Sequence, residues 1–162
     1  MGTNDPSTPA WRRATLAFGA MVVVFGTVAI LLDTGTEGHV VARERTTVEV
    51  HSRMTAVLEA GGELEWHLGP GGVADVVQPR GEAIYRVPEG PPVHLRAGKL
   101  RLEIHDAVVR LRHVDGEVEA HTLVGRARAA SGPDRWRVDA GWAIRTSGDG
   151  LAEARDVGLG AP

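Results

Sequence analysis

The chain has 162 residues, a formal net charge of -3 and no cysteine. This length allows one domain of ordinary size, and a composition with 43% hydrophobic and 24% charged residues is that of a folded chain. The absence of cysteine excludes disulfides, thiolate-bound metal sites and a thiol nucleophile. The acidic balance argues against a dedicated nucleic-acid binder, which needs a basic stripe.

The N-terminal part combines a polar segment with a long apolar one. Residues 1–13 are polar, contain two prolines and are too few to form a core, so we expect a short disordered segment there. Residues 14–32 contain no charge, Asn, Gln or Pro, and as a helix they would rise about 28 Å, close to the hydrocarbon thickness of a bilayer. Because Arg12 and Arg13 precede this segment and Asp33 follows it, the positive-inside rule predicts one transmembrane helix with a cytoplasmic N-terminus.

Two alternatives to an uncleaved membrane anchor are less consistent with this segment. A cleaved signal peptide would have a shorter apolar region and a small-x-small cleavage site, and no Ala-x-Ala motif stands near the end of the segment. A buried core helix is rarely apolar on every face over such a length. The sequence therefore favours the anchor.

From Thr46 onward the hydrophobicity alternates with a period of two residues. In residues 63–68 (ELEWHL), for example, Leu64, Trp66 and Leu68 fall on one face of an extended chain. About ten such runs of 4–7 residues are separated by turns rich in Gly and Pro. The pattern predicts short β-strands and no long helix in this region.

We therefore predict an all-β domain at residues 46–150, with a linker at residues 33–45 before it and a flexible tail at residues 151–162 after it. Asp115-Gly116 predicts a two-residue hairpin turn, because a type I′ turn needs positive φ at both central positions. Short strands at this spacing are typical of a sandwich, a barrel or a solenoid. Small β-branched side chains slightly favour a solenoid-like stack over a sandwich.

Four short motifs follow one another in this β region. They are Arg80-Gly81-Glu82-Ala83, residues 92–98 (PVHLRAG), residues 123–127 (LVGRA), and Asp139-Ala140-Gly141 before Trp142. In this order, and behind a predicted membrane anchor, they resemble the FecR domain, the periplasmic part of bacterial transmembrane regulators of sigma factors. The resemblance implies a single-pass inner-membrane protein with a periplasmic C-terminal domain, which acts through protein–protein contacts in the control of extracytoplasmic-function sigma factors.

The chain also departs from the pattern of that family. His51-Ser52-Arg53 stands where family members carry Asp-Gly-Ser, and residues 105–108 (HDAV) stand where they carry Gly-Thr-x-Phe. Residues 1–13 are too few for the family's folded cytoplasmic anti-sigma region, so we expect sigma-factor control to need a separate anti-sigma subunit. The partners that the resemblance implies are such a subunit, a sigma-factor system or an outer-membrane receptor.

The sequence shows no pattern typical of catalysis, and we predict no enzyme activity and no catalytic, cofactor-binding or metal-binding residues. The serines stand in no nucleophile elbow, and the histidines form no His-x-His or His-Glu-x-x-His motif. The seven histidines are His39, His51, His67, His94, His105, His113 and His121. Paired glutamates on one strand face, such as Glu63 with Glu65, are more often surface charge than an acid–base pair.

Arginines occupy the polar faces of several strands, and four glycines stand at motif positions. The arginine pairs are Arg110 with Arg112, Arg126 with Arg128, and Arg135 with Arg137. Interleaved glutamates favour cross-strand ion pairs for them, and an anionic partner such as a lipid headgroup, a cell-wall polymer or an acidic protein patch is the alternative. Gly81, Gly98, Gly125 and Gly141 are interpreted as turn or bulge positions.

Two functions from different classes are consistent with these features. The first is a transmembrane signalling or regulatory component linked to sigma-factor control. The second is a membrane-tethered structural or scaffolding β-module of the cell envelope with no sigma-factor role.

Overall fold

The computed structural model describes residues 30–33, 36–148 and 152–158. These residues form twelve β-strands and one short 3₁₀ turn, at Pro70–Gly72. In chain order the strands are β1 (Ile30–Asp33), β2 (Glu37–Val41), β3 (Thr46–Val50), β4 (Met54–Leu58), β5 (Glu63–Leu68), β6 (Ala74–Val87), β7 (Val93–Ala97), β8 (Leu100–Val114), β9 (Glu117–Ser131), β10 (Asp134–Asp139), β11 (Trp142–Thr146) and β12 (Ala152–Asp156).

Three long strands, β6, β8 and β9, connect two layers of one continuous mixed sheet. Layer A contains β2, β5, β7 and β10, together with the first halves of β6 and β8 and the second half of β9. Layer B contains β1, β3, β4, β11 and β12, together with the remaining halves of the long strands. The β1–β3 and β6–β7 pairs are parallel, and the other pairs in the described part of the chain are antiparallel.

Each long strand bends at a residue with positive φ. Gly81 in β6 has φ 90°, and Gly125 in β9 has φ 74°. Asp106 in β8 has φ 39° and lies where the register between β8 and β9 shifts. A side chain on Gly125 would overlap the carbonyl oxygen of Asp106. The bends of β8 and β9 therefore lie against each other, and only glycine fits at position 125.

The inward side chains of both layers form one hydrophobic core. Leu95 and Leu102 of layer A and Leu58 and Val109 of layer B are at most 3% exposed. These strands alternate buried and exposed residues, as Val93–Ala97 shows with the pattern buried, exposed, buried, exposed, buried. The aliphatic periodicity of the sequence thus specifies which face of each strand is buried.

The bend of β6 encloses a polar contact within this core. The hydroxyl of Tyr85 donates a hydrogen bond to Oε1 of Gln78 at 2.7 Å, and Nε2 of Gln78 donates to the carbonyl of Gly81 at 2.9 Å. Tyr85 and Gln78 are 0% and 1% exposed. The two side chains belong to one strand and are seven residues apart. They are in contact because β6 bends between them.

The all-β prediction is confirmed, and the two mainly antiparallel layers correspond to the sandwich alternative and not to a solenoid-like stack. The predicted hairpin turn is also confirmed, since Asp115 and Gly116 have positive φ and connect β8 to β9. Several short runs that the sequence predicts as separate strands are the two halves of one long strand. The bends interrupt the hydrophobic alternation there, but the strands continue through them.

The sheet extends beyond the predicted boundaries of the β domain. Strand β2 lies inside the segment predicted as a linker and pairs with β5, and β12 lies inside the segment predicted as a flexible tail and pairs with β11. Both strands are largely exposed. Because they bury little surface, they carry little of the hydrophobic alternation by which strands are predicted.

Residues 1–29, which include the predicted disordered segment and most of the predicted membrane helix, lie outside the described residues. The last three residues of that predicted helix, 30–32, belong to β1, which pairs with β3. The structure differs from the prediction here because an apolar run without a period fits a strand as well as a helix. Within the described ranges, no helix combines the length and hydrophobicity needed to cross a bilayer.

Candidate functional site

A concave cleft of about 890 Å³ lies on the outer face of layer A. It is formed by parts of β6, β7, β8, β9 and β10, which are neighbours in this order. The charged residues that line it include two carboxylates, Asp75 and Glu103, and five arginines, Arg96, Arg101, Arg128, Arg135 and Arg137. The cleft therefore concentrates positive charge, although the whole chain has a net charge of -3.

The strand alternation points the arginines away from the core. Leu95 and Leu102 are 1% and 3% exposed and belong to the core, so their neighbours Arg96 and Arg101 point to the opposite side of the sheet. Trp136 of β10 is half-buried, packs against the core and also lines the cleft. The floor of the cleft is therefore a continuous piece of sheet with charged side chains around it.

One row of residues across these five strands is balanced in charge. From β6 to β10 the row is Asp75, His94, Glu103, Arg128 and Arg137. Nδ1 of His94 lies 3.3 Å from Oδ1 of Asp75, and Nη1 of Arg128 donates to Oε1 of Glu103 at 3.2 Å. Nε of Arg137 donates to Asp139 at 3.0 Å. Both carboxylates of the cleft are thus already engaged.

The adjacent row has no carboxylate. From β6 to β10 it is Val77, Arg96, Arg101, Ala130 and Arg135. Arg96 lies directly opposite Arg101, and within residues 36–148 and 152–158 neither has an ion-pair partner. Arg135 donates through Nη1 to the carbonyls of Gly132 and Asp134, both at 2.8 Å. We call Arg96, Arg101 and Arg135 the arginine row.

Layer B presents the opposite arrangement on its outer face. Nη2 of Arg110 lies 2.6 Å from Glu82, and Nη2 of Arg145 lies 2.6 Å from Glu117. Arg155 likewise pairs with Glu119 at 2.9 Å. Cross-strand ion pairs therefore account for these three arginines, as the sequence indicates. Arg86 and Arg112 of the same face have no ion pair among the described residues, and what distinguishes layer A is that two unpaired arginines, Arg96 and Arg101, lie directly opposite each other.

A second group of polar residues lies on the outer face of the β2–β5 pair. Ligand atoms of His39, Glu63 and Glu65 all lie within 4.8 Å of one another. The sequence does not predict this group, because β2 falls inside the predicted linker. His39 lies 2.9 Å from Glu63, and Nε of Arg80 donates to the same carboxylate at 3.0 Å. The hydrogen bond with His39, ahead of Arg80, holds the pKa of Glu63 below its usual value. Arg80 already neutralises Glu63, so we assign this group to strand pairing and not to metal binding.

The histidines are spread over the sheet. Four lie beside carboxylates, in the pairs His39–Glu63, His67–Glu37, His94–Asp75 and His105–Glu103. His51 occupies a turn with φ 45°, and Nδ1 of His113 lies 3.0 Å from the carbonyl oxygen of Gln78. Nε2 of His121 is buried without a hydrogen-bond partner among the described residues. No one place therefore collects the histidines into a catalytic arrangement within this part of the chain.

The four glycines interpreted as turn or bulge positions all have positive φ. Gly81 and Gly125 lie at the bends of β6 and β9, Gly98 lies in the turn between β7 and β8, and Gly141 lies in the turn between β10 and β11. The motifs that carry the sequence resemblance thus include the turns and bends of the sandwich. They shape the fold, and of the arginine row only Arg96 lies within one of them.

The sequence carries a signal for the arginine row in its turns and not in its motifs. The turns between β7 and β8, β8 and β9, and β9 and β10 each contain two residues, at 98–99, 115–116 and 132–133. A two-residue turn fixes the register of its hairpin. Three such turns together would have placed Arg96, Arg101 and Arg135 in one row across the sheet.

The fold has matches among solved structures. No family model and no curated protein matches the chain. Two crystal structures do, each described as a "putative anti-sigma factor" from Parabacteroides distasonis ATCC 8503, with TM-scores of 0.68 and 0.65 at 14% and 16% identity. In both cases the match covers 76% of this chain and 61% of the other chain. The chain therefore shares their fold and spans about three fifths of their length.

Proposed function

We propose that this chain is the extracytoplasmic module of a sigma-factor regulatory system and acts by binding other molecules. The observation that carries the proposal is the fold, which matches the two Parabacteroides distasonis structures over 76% of the chain. The order of FecR-like motifs in residues 80–142 supports the same role. Both lines support regulation through contacts between proteins.

The proposed topology follows from the N-terminal sequence. The apolar residues that precede β1, from residue 14 onward, anchor the chain in the bacterial inner membrane, residues 1–13 lie in the cytoplasm, and the β-sandwich lies in the periplasm. The sandwich relays the state of a periplasmic or outer-membrane partner to the protein that contacts the sigma factor.

The proposal can be tested by crosslinking in native membranes, followed by mass spectrometry of what is captured by the full chain. We expect a sigma factor, an anti-sigma subunit or an outer-membrane receptor among the crosslinked proteins. Deletion of the gene should also change transcription from promoters that depend on that sigma factor. The chain itself should remain with the membrane fraction in high salt.

The scaffolding alternative predicts different results from the same cells. Crosslinks would then connect the chain to envelope-assembly proteins, and its deletion would leave sigma-dependent transcription unchanged. That combination would overturn the regulatory proposal. Release of the chain by high salt would separately overturn the proposed membrane anchor.

A further inference from the structure

We propose that the arginine row binds a small ligand that carries phosphate groups. The ligand would lie in the cleft of layer A and contact Arg96, Arg101 and Arg135. This site goes beyond the proposed function, which concerns protein partners and does not depend on the cleft.

The first reason is the unfavourable placement of Arg96 opposite Arg101. Like charges directly opposite on neighbouring strands destabilise a sheet. Arg128 lies opposite Arg137 in the same way, but each of these two has a carboxylate beside it. Among the described residues, Arg96 and Arg101 have none. A bound anion would supply the negative charge that this row lacks.

The second reason is the spacing of the strands that carry the three arginines. Arg96 and Arg101 belong to neighbouring strands, about 5 Å apart, and Arg101 and Arg135 are two strands apart, about 10 Å. Ala130 lies between the last two in the row, and its small side chain leaves room above the sheet. The row therefore suits a phosphate group whose oxygens contact more than one arginine.

The third reason is the chemistry and size of the cleft. Guanidinium groups bind phosphate oxygens through paired hydrogen bonds, and a phosphate offers more charge and more acceptor oxygens than a carboxylate. A volume of about 890 Å³ lies within the range of small-molecule sites. An acidic protein would instead need an interface of roughly 800 Å² on this side, so we favour a small ligand.

The remaining charges of the cleft do not oppose this assignment. Asp75 lies beside His94, and Glu103 accepts a hydrogen bond from Arg128. Both carboxylates belong to the neighbouring row, and neither contacts the arginine row. The ammonium group of Lys99 donates to the carbonyl of Gly148 at 3.0 Å, and Lys99 borders the same end of the face.

The test is calorimetric titration of the full-length chain, purified in a neutral detergent, with soluble phosphate compounds. Inorganic pyrophosphate represents free phosphate ligands, and glycerophosphoglycerol represents the headgroup of an anionic phospholipid. We expect heat of binding with at least one of them, weakened by added salt. Binding of pyrophosphate alone would indicate a free phosphate ligand, and binding of glycerophosphoglycerol would indicate a lipid headgroup.

A pair of matched variants locates the site. Arg96→Gln with Arg101→Gln removes two charges from the arginine row, and we expect affinity to fall about a hundredfold, since each lost charge-assisted hydrogen bond costs about tenfold. Arg110→Gln with Arg145→Gln removes two charges from layer B and should leave the affinity unchanged. Thermal unfolding without ligand should show the first variant to be at least as stable as the native chain, because it removes a like-charge pair.

Several results would overturn the proposal. The arginine row would not be a phosphate site if neither phosphate compound bound, or if the Arg96→Gln, Arg101→Gln variant bound them as tightly as the native chain. Equal affinity for succinate would show a general anion site without preference for phosphate. Binding of a polyglutamate peptide in place of the phosphate compounds would assign the cleft to an acidic protein. None of these measurements involves a sigma factor, so their failure is distinguishable from failure of the proposed function.

Discussion

At the scale of single residues, the buried pair of Tyr85 and Gln78 is the most demanding polar feature of the core. A buried hydroxyl or amide is stable only when its hydrogen bonds are made. Tyr85 donates to Gln78 at 2.7 Å, and Gln78 donates in turn to the carbonyl of Gly81. The pair thus connects the core to the bend of β6 and favours one geometry of that bend.

Tyr85 should make the stability of the fold depend on alkaline pH. Burial raises the pKa of Tyr85 far above its usual value, whereas in the unfolded chain it ionises near pH 10. Its contribution is therefore fully present below about pH 10 and is lost as pH rises further, at about 1.4 kcal/mol per pH unit. Urea unfolding at increasing pH measures this loss.

The chain contains a single tyrosine, so its near-ultraviolet phenolate absorbance reports on Tyr85 alone. In the folded protein this absorbance should rise only together with unfolding. Tyr85→Phe is the control. It should lower the free energy of unfolding by about 1–3 kcal/mol at neutral pH, because it leaves an acceptor of Gln78 unpaired. It should also abolish the fall of the unfolding free energy with pH above about pH 10. A gradual rise near pH 10 in the folded chain would contradict the burial of Tyr85.

At the scale of elements, the bends decide how three long strands serve two layers. A bend needs a residue that accepts positive φ and leaves space for the neighbouring strand. Gly125 meets both needs, because it lies at φ 74° against the carbonyl of Asp106. The β8–β9 hairpin can therefore cross from layer B to layer A without a break.

Gly125→Ala should destabilise the fold by about 2–4 kcal/mol. Part of this cost, about 1–2 kcal/mol, is the strain of a side chain at positive φ, and the rest is the overlap with Asp106. Gly116→Ala is a matched control, because Gly116 has φ 78° and nothing lies within 4 Å of an added Cβ. Urea unfolding compares the two variants, and equal losses would show that the close approach of β8 and β9 is absent.

The sequence predicts the interior elements better than the edges, for a physical reason. Alternating hydrophobic and polar residues predict strands with one buried face, such as Val93–Ala97. Asp115-Gly116 predicts a hairpin because its turn needs positive φ at both positions. The exposed strands β2 and β12 bury too little to show a period. Their position in the sheet depends on neighbours that are distant in the chain.

The candidate site was harder to predict because it depends on register and not on a motif. Arg96, Arg101 and Arg135 share no local pattern, and each alone reads as a solvated surface residue. Only the combination of three hairpins brings them into one row. The lack of carboxylates around that row is likewise a property of the assembled sheet.

At the scale of the whole molecule, the two outer faces differ while the core is shared. Layer B is covered by ion pairs such as Arg110–Glu82 and Arg145–Glu117, and layer A carries the arginine row. The same strands, β6, β8 and β9, connect the faces through one core. A change in the cleft of layer A therefore acts on strands that also belong to layer B.

This shared construction predicts that the two layers unfold together. Unfolding layer A alone would expose the inner face of layer B. It would also have to break β6, β8 and β9 at their bends. A partly unfolded state therefore gains little chain entropy and loses much buried surface. Trp66 and Trp136 lie in layer A, and Trp142 lies in layer B. Tryptophan fluorescence can therefore follow each layer separately.

The measurement uses two variants in which Trp11 is also replaced by Phe. The variant with Trp142→Phe keeps the tryptophans of layer A, and the variant with Trp66→Phe and Trp136→Phe keeps the one of layer B. Within each variant, the urea midpoint from fluorescence should equal the midpoint from far-ultraviolet circular dichroism, although the two variants differ in stability. A fluorescence transition of one layer that precedes the loss of strand signal would show that the layers are separate folding units, and the bent strands would then not couple the cleft to layer B.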